Sequence, residues 1–61
     1  MSKMSESELE AAYEALAQAI DAAGETHETL FLTRLALVLA HELGDVATFK
    51  KAVEMALEDL G

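Results

Sequence analysis

Apolar side chains recur at spacings of three and four along most of the chain, and this spacing predicts α-helix. In the first third of the chain the apolar positions are Leu9, Ala12, Tyr13, Leu16, Ile20 and Ala23. In the last third they are Val46, Phe49, Val53, Ala56, Leu57 and Leu60. Each set follows one face of a helix and leaves the other faces mostly polar. No stretch alternates apolar and polar residues as a strand requires, so the pattern predicts an all-α fold.

The middle third differs because it is apolar on nearly all sides. One broad face carries Phe31, Leu32, Leu35, Val38, Leu39 and Leu43. At about 100° per residue, Leu30 and Leu37 fall on the other side, next to Arg34 and His41. A helix that is apolar all round is normally central in a bundle or buried in an oligomer.

Glycines mark the expected ends of the helices. Gly24 and Gly44 are the internal glycines, and glycine ends helices readily because it takes a positive φ without a Cβ clash. Asp45 should cap the next helix, and a connection this short predicts an antiparallel helical hairpin. The sequence therefore predicts a small three-helix bundle with a C-terminal antiparallel hairpin. Its single domain, residues 1–61, should contain helices at about 5–23, 27–43 and 45–60.

Residues that cap helix N-termini stand where the first two helices should begin. For the first helix, either Ser5 with Glu8 or Ser7 with Glu10 forms a capping box. In such a box the serine hydroxyl and the glutamate carboxylate accept hydrogen bonds from each other's backbone N–H groups. Thr26 is a candidate N-cap of the second helix.

The three apolar faces should converge on one core. We expect this core to contain Leu9, Tyr13, Leu16, Ile20, Phe31, Leu35, Val38, Leu39, Phe49, Val53 and Leu57. Met55 stands roughly opposite the apolar face of its helix and should therefore be exposed to solvent.

Composition shows how such a small domain could be stabilised. A chain of 61 residues with 52% hydrophobic residues is too apolar to stay disordered, yet its own core supplies only a few kcal/mol. Small domains usually add disulfides, a metal or a partner subunit. The absence of cysteine removes disulfides and thiolate metal sites, which leaves association with another subunit.

Charge limits the classes of partner. The chain has 12 acidic and 4 basic residues, and its net charge is −8. Such a surface repels phosphate backbones and anionic membranes, so we expect neither nucleic acid nor a membrane as a partner. The most apolar run, Leu30 to Ala40, is shorter than the roughly 20 residues that span a bilayer. With no targeting segment visible at Met1, the expected location is the cytoplasm.

Residues with catalytic or metal-binding chemistry are few and scattered. His41-Glu42 looks like the start of a zinc-protease helix motif, but the second histidine of that motif would stand at Asp45. His27 is the other histidine, and it reads as an exposed residue in a loop or first turn. The sequence therefore predicts no catalytic residue, no cofactor-binding residue and no metal ligand.

The two-sided middle helix favours a function in protein contact. We expect a non-enzymatic protein-interaction module, either self-associating or an accessory subunit of a bacterial enzyme. Its interface would be the Leu30–His41 strip, defined as Leu30, Arg34, Leu37 and His41. In one alternative, the first helix covers Leu30 and Leu37 within a monomer. In another, the protein is a small enzyme or ligand-binding protein with a site at a subunit interface around Arg34 and His41.

The whole chain, from about residue 5 to residue 60, also resembles a family of short uncharacterised bacterial helical proteins, a domain of unknown function. The residues that carry this resemblance are Leu9-Glu10-Ala11-Ala12-Tyr13, Ala19-Ile20-Asp21, Leu30-Phe31-Leu32-Thr33-Arg34-Leu35-Ala36-Leu37 and His41-Glu42-Leu43-Gly44-Asp45. The resemblance implies a bacterial cytoplasmic protein, sometimes encoded near flavin-dependent oxidoreductases. The family has no known catalytic residues to transfer to this chain.

Overall fold

The computed structural model describes residues 3–58 and residue 60, and these residues contain two helices. Helix α1 spans Glu6–Leu43 and helix α2 spans Val46–Leu57. No strand occurs among the described residues, so the predicted all-α class is confirmed. Residues 1, 2, 59 and 61 of the predicted single domain lie outside them.

The predicted three-helix bundle is not supported, because the first two predicted helices form one kinked helix, α1. Helix α1 is 38 residues long and contains a single residue with non-helical dihedral angles, Gly24, at φ 78° and ψ 164°. Helical backbone resumes at the next residue with no loop between. The predicted N-cap Thr26 consequently lies inside α1. We call residues 6–23 the first arm and residues 25–43 the second arm.

Helix α1 bends sharply at Gly24. A straight helix of 38 residues would be about 57 Å long, but the longest principal dimension of the molecule is 31 Å. The two arms therefore point in different directions. They lie on either side of a groove of about 310 Å³, here called the inter-arm groove, which is lined by Ala12, Ala15, Leu16, Ala19, Phe31 and Leu35.

A capping box fixes the start of α1. The Ser5 backbone N–H donates to Glu8 Oε1 at 2.9 Å, and the Glu8 backbone N–H donates to Ser5 Oγ at 3.2 Å. Of the two predicted boxes, the structure contains the one formed by Ser5 and Glu8. The backbone hydrogen bond from Ser5, followed by its side-chain hydrogen bond, lowers the pKa of Glu8 because both favour the charged carboxylate.

The turn between α1 and α2 follows the sequence prediction closely. Gly44 takes the left-handed conformation, φ 73° and ψ 13°, and its N–H donates to the carbonyl oxygen of Ala40 at 3.0 Å. Asp45 caps α2 by accepting hydrogen bonds from the Ala47 backbone N–H at 3.1 Å and from the Thr48 hydroxyl. Helix α2 ends at Leu57 rather than at the predicted residue 60.

The predicted core is wrong for the single chain, because no described residue is fully buried. The half-buried members of the predicted core are Leu16, Ile20, Phe31, Leu35 and Phe49. Its exposed members are Leu9, Tyr13, Val38, Leu39, Val53 and Leu57. Away from the turns, distant parts of the described chain hardly approach one another. The apolar faces exist as predicted, but the bend at Gly24 and the turn at Gly44 do not direct them at a common centre.

Candidate interaction surface

The exposed leucines of the Leu30–His41 strip lie along the second arm. Leu30 is 52% exposed and Leu37 is 62% exposed. Because they are seven residues apart, they stand almost in line, about 10 Å from each other along the helix axis. The first arm does not cover them, so the alternative in which they are buried within a monomer is wrong for this structure.

The two charged or titratable members of the strip, Arg34 and His41, are exposed as well. Arg34 lines a groove of about 260 Å³, here called the Arg34 groove, together with Ala23, His27, Leu30 and Phe31. His41 stands in the last turn of α1, where a positive charge is favourable because it meets the negative end of the helix dipole. Within the single chain, His41 therefore lies outside the Arg34 groove.

A second pair of exposed leucines lies on the opposite face of the second arm. Leu32 and Leu39 are also seven residues apart, and both are exposed. At about 100° per residue they stand roughly 160° around the helix from Leu30 and Leu37. The sequence analysis placed both on one broad apolar face, included Leu39 in the predicted core, and so missed this surface. Their heptad spacing was visible in the sequence and could have indicated it.

An apolar groove borders this second face. It has a volume of about 410 Å³ and lies between the second arm and α2, so we call it the α2 groove. Its lining residues are Ala36, Leu39, Glu42, Leu43, Phe49 and Ala52. Glu42 is its single charged residue. A groove with such walls favours an apolar side chain over a polar ligand, because nearly all contact in it would be with carbon atoms.

Large apolar side chains are exposed in every part of the described chain. They include Leu9 and Tyr13 in the first arm, and Val46, Val53, Met55 and Leu57 in α2. Met55 is 70% exposed, which confirms its predicted position. Soluble monomers rarely leave so much apolar surface in contact with water, and such surface usually marks a site of association.

The side-chain hydrogen bonds among the described residues lie at the starts of α1 and α2. Their side-chain hydrogen bonds join Ser5 with Ser7 and Glu8, and Asp45 with Ala47 and Thr48. Within residues 3–58 and 60, no three histidine, aspartate or glutamate side chains are placed to share a metal ion. No helix in this part of the chain has the length and hydropathy needed to cross a membrane.

Comparisons with family models, with curated proteins and with solved structures found no match to this chain. The family resemblance drawn from the sequence consequently stays a prediction.

Proposed function

We propose that this chain is a non-enzymatic protein-interaction module that self-associates through the Leu30–His41 strip. The observation that supports the proposal is the absence of any fully buried side chain among the described residues, in a chain that is 52% hydrophobic. A folded chain needs buried apolar surface to offset its loss of conformational entropy. Since the single chain provides so little, a second subunit has to provide the rest.

The leucines supply the attraction in this proposal. Fully burying a leucine contributes roughly 1.5–3 kcal/mol. Leu30 and Leu37 are about half exposed, so covering the remaining half of each contributes roughly 1 kcal/mol. A symmetric pair of strips would contain four such leucines, because an isologous interface uses the same patch on both subunits.

Arg34 gives the proposed interface its polar specificity. The chain carries 12 acidic and 4 basic residues, so a second copy presents many carboxylates and few competing cations. The planar guanidinium pairs with a carboxylate through two parallel hydrogen bonds, and interfaces favour arginine over lysine. We expect Arg34 to bind a carboxylate of the neighbouring subunit and so to offset part of the repulsion between two chains of net charge −8.

A ligand-binding protein or small enzyme, with its site at a subunit interface around Arg34 and His41, is the second candidate. The Arg34 groove favours it, because that groove places a guanidinium beside His27 and apolar walls. It predicts that a small anion accompanies the purified protein. Native mass spectrometry, which weighs the intact assembly, would detect such a ligand as added mass.

The test of self-association is sedimentation equilibrium of the parent and of a Leu30→Glu, Leu37→Glu double variant. The parent should be oligomeric at tens of micromolar. Each introduced carboxylate would have to lose its water in the interface, so the double variant should dissociate at the same concentration. The matched control is Ala11→Glu with Gln18→Glu. It adds the same charge with the same seven-residue spacing, at exposed positions of the first arm, and should associate like the parent.

Three outcomes separate the possibilities. A parent that is monomeric at tens of micromolar would exclude self-association and leave a foreign partner, as in an accessory subunit. A double variant that associates like the parent would show that the strip is not the interface. If the control dissociates as well, the added negative charge causes dissociation, and the Leu30–His41 strip has no specific role in self-association.

A further inference from the structure

The single chain is more open than a compact domain of its length. Its radius of gyration is 12.8 Å, whereas a compact domain of 61 residues should have about 10.5 Å. The observed value is typical of a domain of about 100 residues. The chain therefore encloses space that its own side chains do not fill.

The exposed area leads to the same conclusion. The chain exposes 5664 Å², while a compact monomer of 6.6 kDa should expose about 3,900 Å². The excess is about 1,800 Å² per chain. A standard dimer interface covers about 800 Å² per partner, so a contact limited to one helix face would leave much of the excess uncovered. Obligate homodimers bury about 2,000–5,000 Å² in total, and twice the excess falls in that range.

The space to be filled lies on two sides of the second arm. The inter-arm groove, of about 310 Å³, has three alanines among its six lining residues. The α2 groove, of about 410 Å³, has Ala36 and Ala52 in its walls. Alanine walls let another helix approach closely, since they project little beyond the backbone. Bulky exposed side chains of a second copy, such as Tyr13 and Leu39, would fill the space next to these alanines.

From these observations we infer that a second copy of this chain fills the grooves, so that the native state is an interlocked homodimer with one shared core. This inference rests on the proposed self-association and adds its geometry. In this arrangement helices of each subunit lie in the inter-arm groove and the α2 groove of the other. The Leu30–His41 strip is then one part of a larger contact, and neither subunit keeps its fold alone.

Small-angle X-ray scattering of the full chain, at a concentration where sedimentation gives twice the chain mass, tests the geometry. A compact dimer of 122 residues should have a radius of gyration of about 14 Å. Two unchanged chains placed side by side at their smallest dimension, 25 Å, should have about 18 Å. We expect the smaller value. We also expect the helical circular dichroism to fall on dilution together with the dimer, because dissociation removes the shared core.

A pair of tryptophan variants tests where the second copy lies. Ala52→Trp places an indole in the α2 groove and should weaken dimerisation about tenfold or more, because it occupies the space of the incoming helix. Ala47→Trp is the matched control. Ala47 is exposed, it lies on the other side of α2, and it does not line the groove. The dissociation constant of the Ala47→Trp dimer should stay within about twofold of the parent value. Circular dichroism at high concentration checks that both variants are helical.

The outcomes distinguish the two proposals. A monomeric parent would overturn self-association and the interlocked dimer together. A dimer with a radius of gyration near 18 Å, an assembly larger than two chains, or an Ala52→Trp variant that dimerises like the parent would overturn the interlocked arrangement alone and leave self-association standing.

Discussion

The two internal glycines, Gly24 and Gly44, both have a positive φ, 78° and 73°, but they end their helical segments in different ways. Gly44 has ψ 13°, the left-handed conformation that commonly closes a helix. Gly24 has ψ 164°, in a region that only glycine occupies readily. Asp45 caps the helix after Gly44, whereas after Gly24 the helical backbone resumes directly.

This difference separates a turn that is fixed locally from a bend that is not. At Gly44 the hydrogen bond to Ala40, the left-handed backbone and the Asp45 cap act within a few residues of each other. At Gly24 the conformation depends on one residue. A Cβ added there would have no atom within 4 Å, so no steric contact at Gly24 itself fixes the bend. The angle between the arms therefore depends on what lies between them.

Replacing Gly24 should have the largest effect. Gly24→Ala makes φ 78°, ψ 164° unfavourable by about 1–3 kcal/mol, and alanine favours a continuous helix by about 1 kcal/mol relative to glycine. We expect α1 to straighten, so that the maximum dimension in small-angle X-ray scattering rises well above that of the parent protein at the same concentration, while helical circular dichroism is kept or increased. Unchanged dimensions would show that tertiary contacts, rather than glycine, hold the bend.

Replacing Gly44 should have a smaller effect. Gly44→Ala keeps a left-handed conformation at a cost of about 1–2 kcal/mol, and the Asp45 cap still defines the turn. Thermal denaturation should show that the free energy of unfolding falls by about 1–2 kcal/mol. The molecular dimensions should change little. Gly44→Asn should lose less, because asparagine tolerates this conformation. If the alanine variants at positions 24 and 44 change the dimensions equally, the contrast between the bend and the turn is wrong.

The pH dependence of the Asp45 cap should be the smallest effect. Hydrogen bonds from the Thr48 hydroxyl and then from the Ala47 N–H lower the pKa of Asp45 below its ordinary value of 3.8. A lowered pKa in the folded state means that the stabilisation is complete above the unfolded value. It is lost as the pH falls from about 3.8 through the folded pKa.

Comparison with Asp45→Asn isolates this effect, because asparagine caps a helix equally well without titrating. Thermal unfolding at about pH 6 and about pH 3 should show that acid destabilises the parent more than the variant. Glu8 and the other carboxylates are present in both proteins, so their contribution cancels. A difference between the two proteins that does not change with pH would exclude a role for the Asp45 charge.

Several features followed from the sequence alone. These are the all-α class, the Ser5–Glu8 capping box as one of two options, the turn at Gly44-Asp45 and the exposure of Met55. Each depends on residues no more than about four positions apart, where helix periodicity and capping rules apply directly. The apolar character of both sides of the second arm was also evident from periodicity.

The tertiary structure alone decided how the apolar faces are arranged. Periodicity shows which side of a helix is apolar, but not what covers it. The path of the chain after Gly24 is set by the two dihedral angles of one residue that has no Cβ to restrict them. The sequence predicted a positive φ there, but no sequence pattern specified the ψ of 164°. That path directs the apolar faces into open grooves rather than into one core, so Leu9, Tyr13, Val38 and Leu39, all predicted core residues, are exposed.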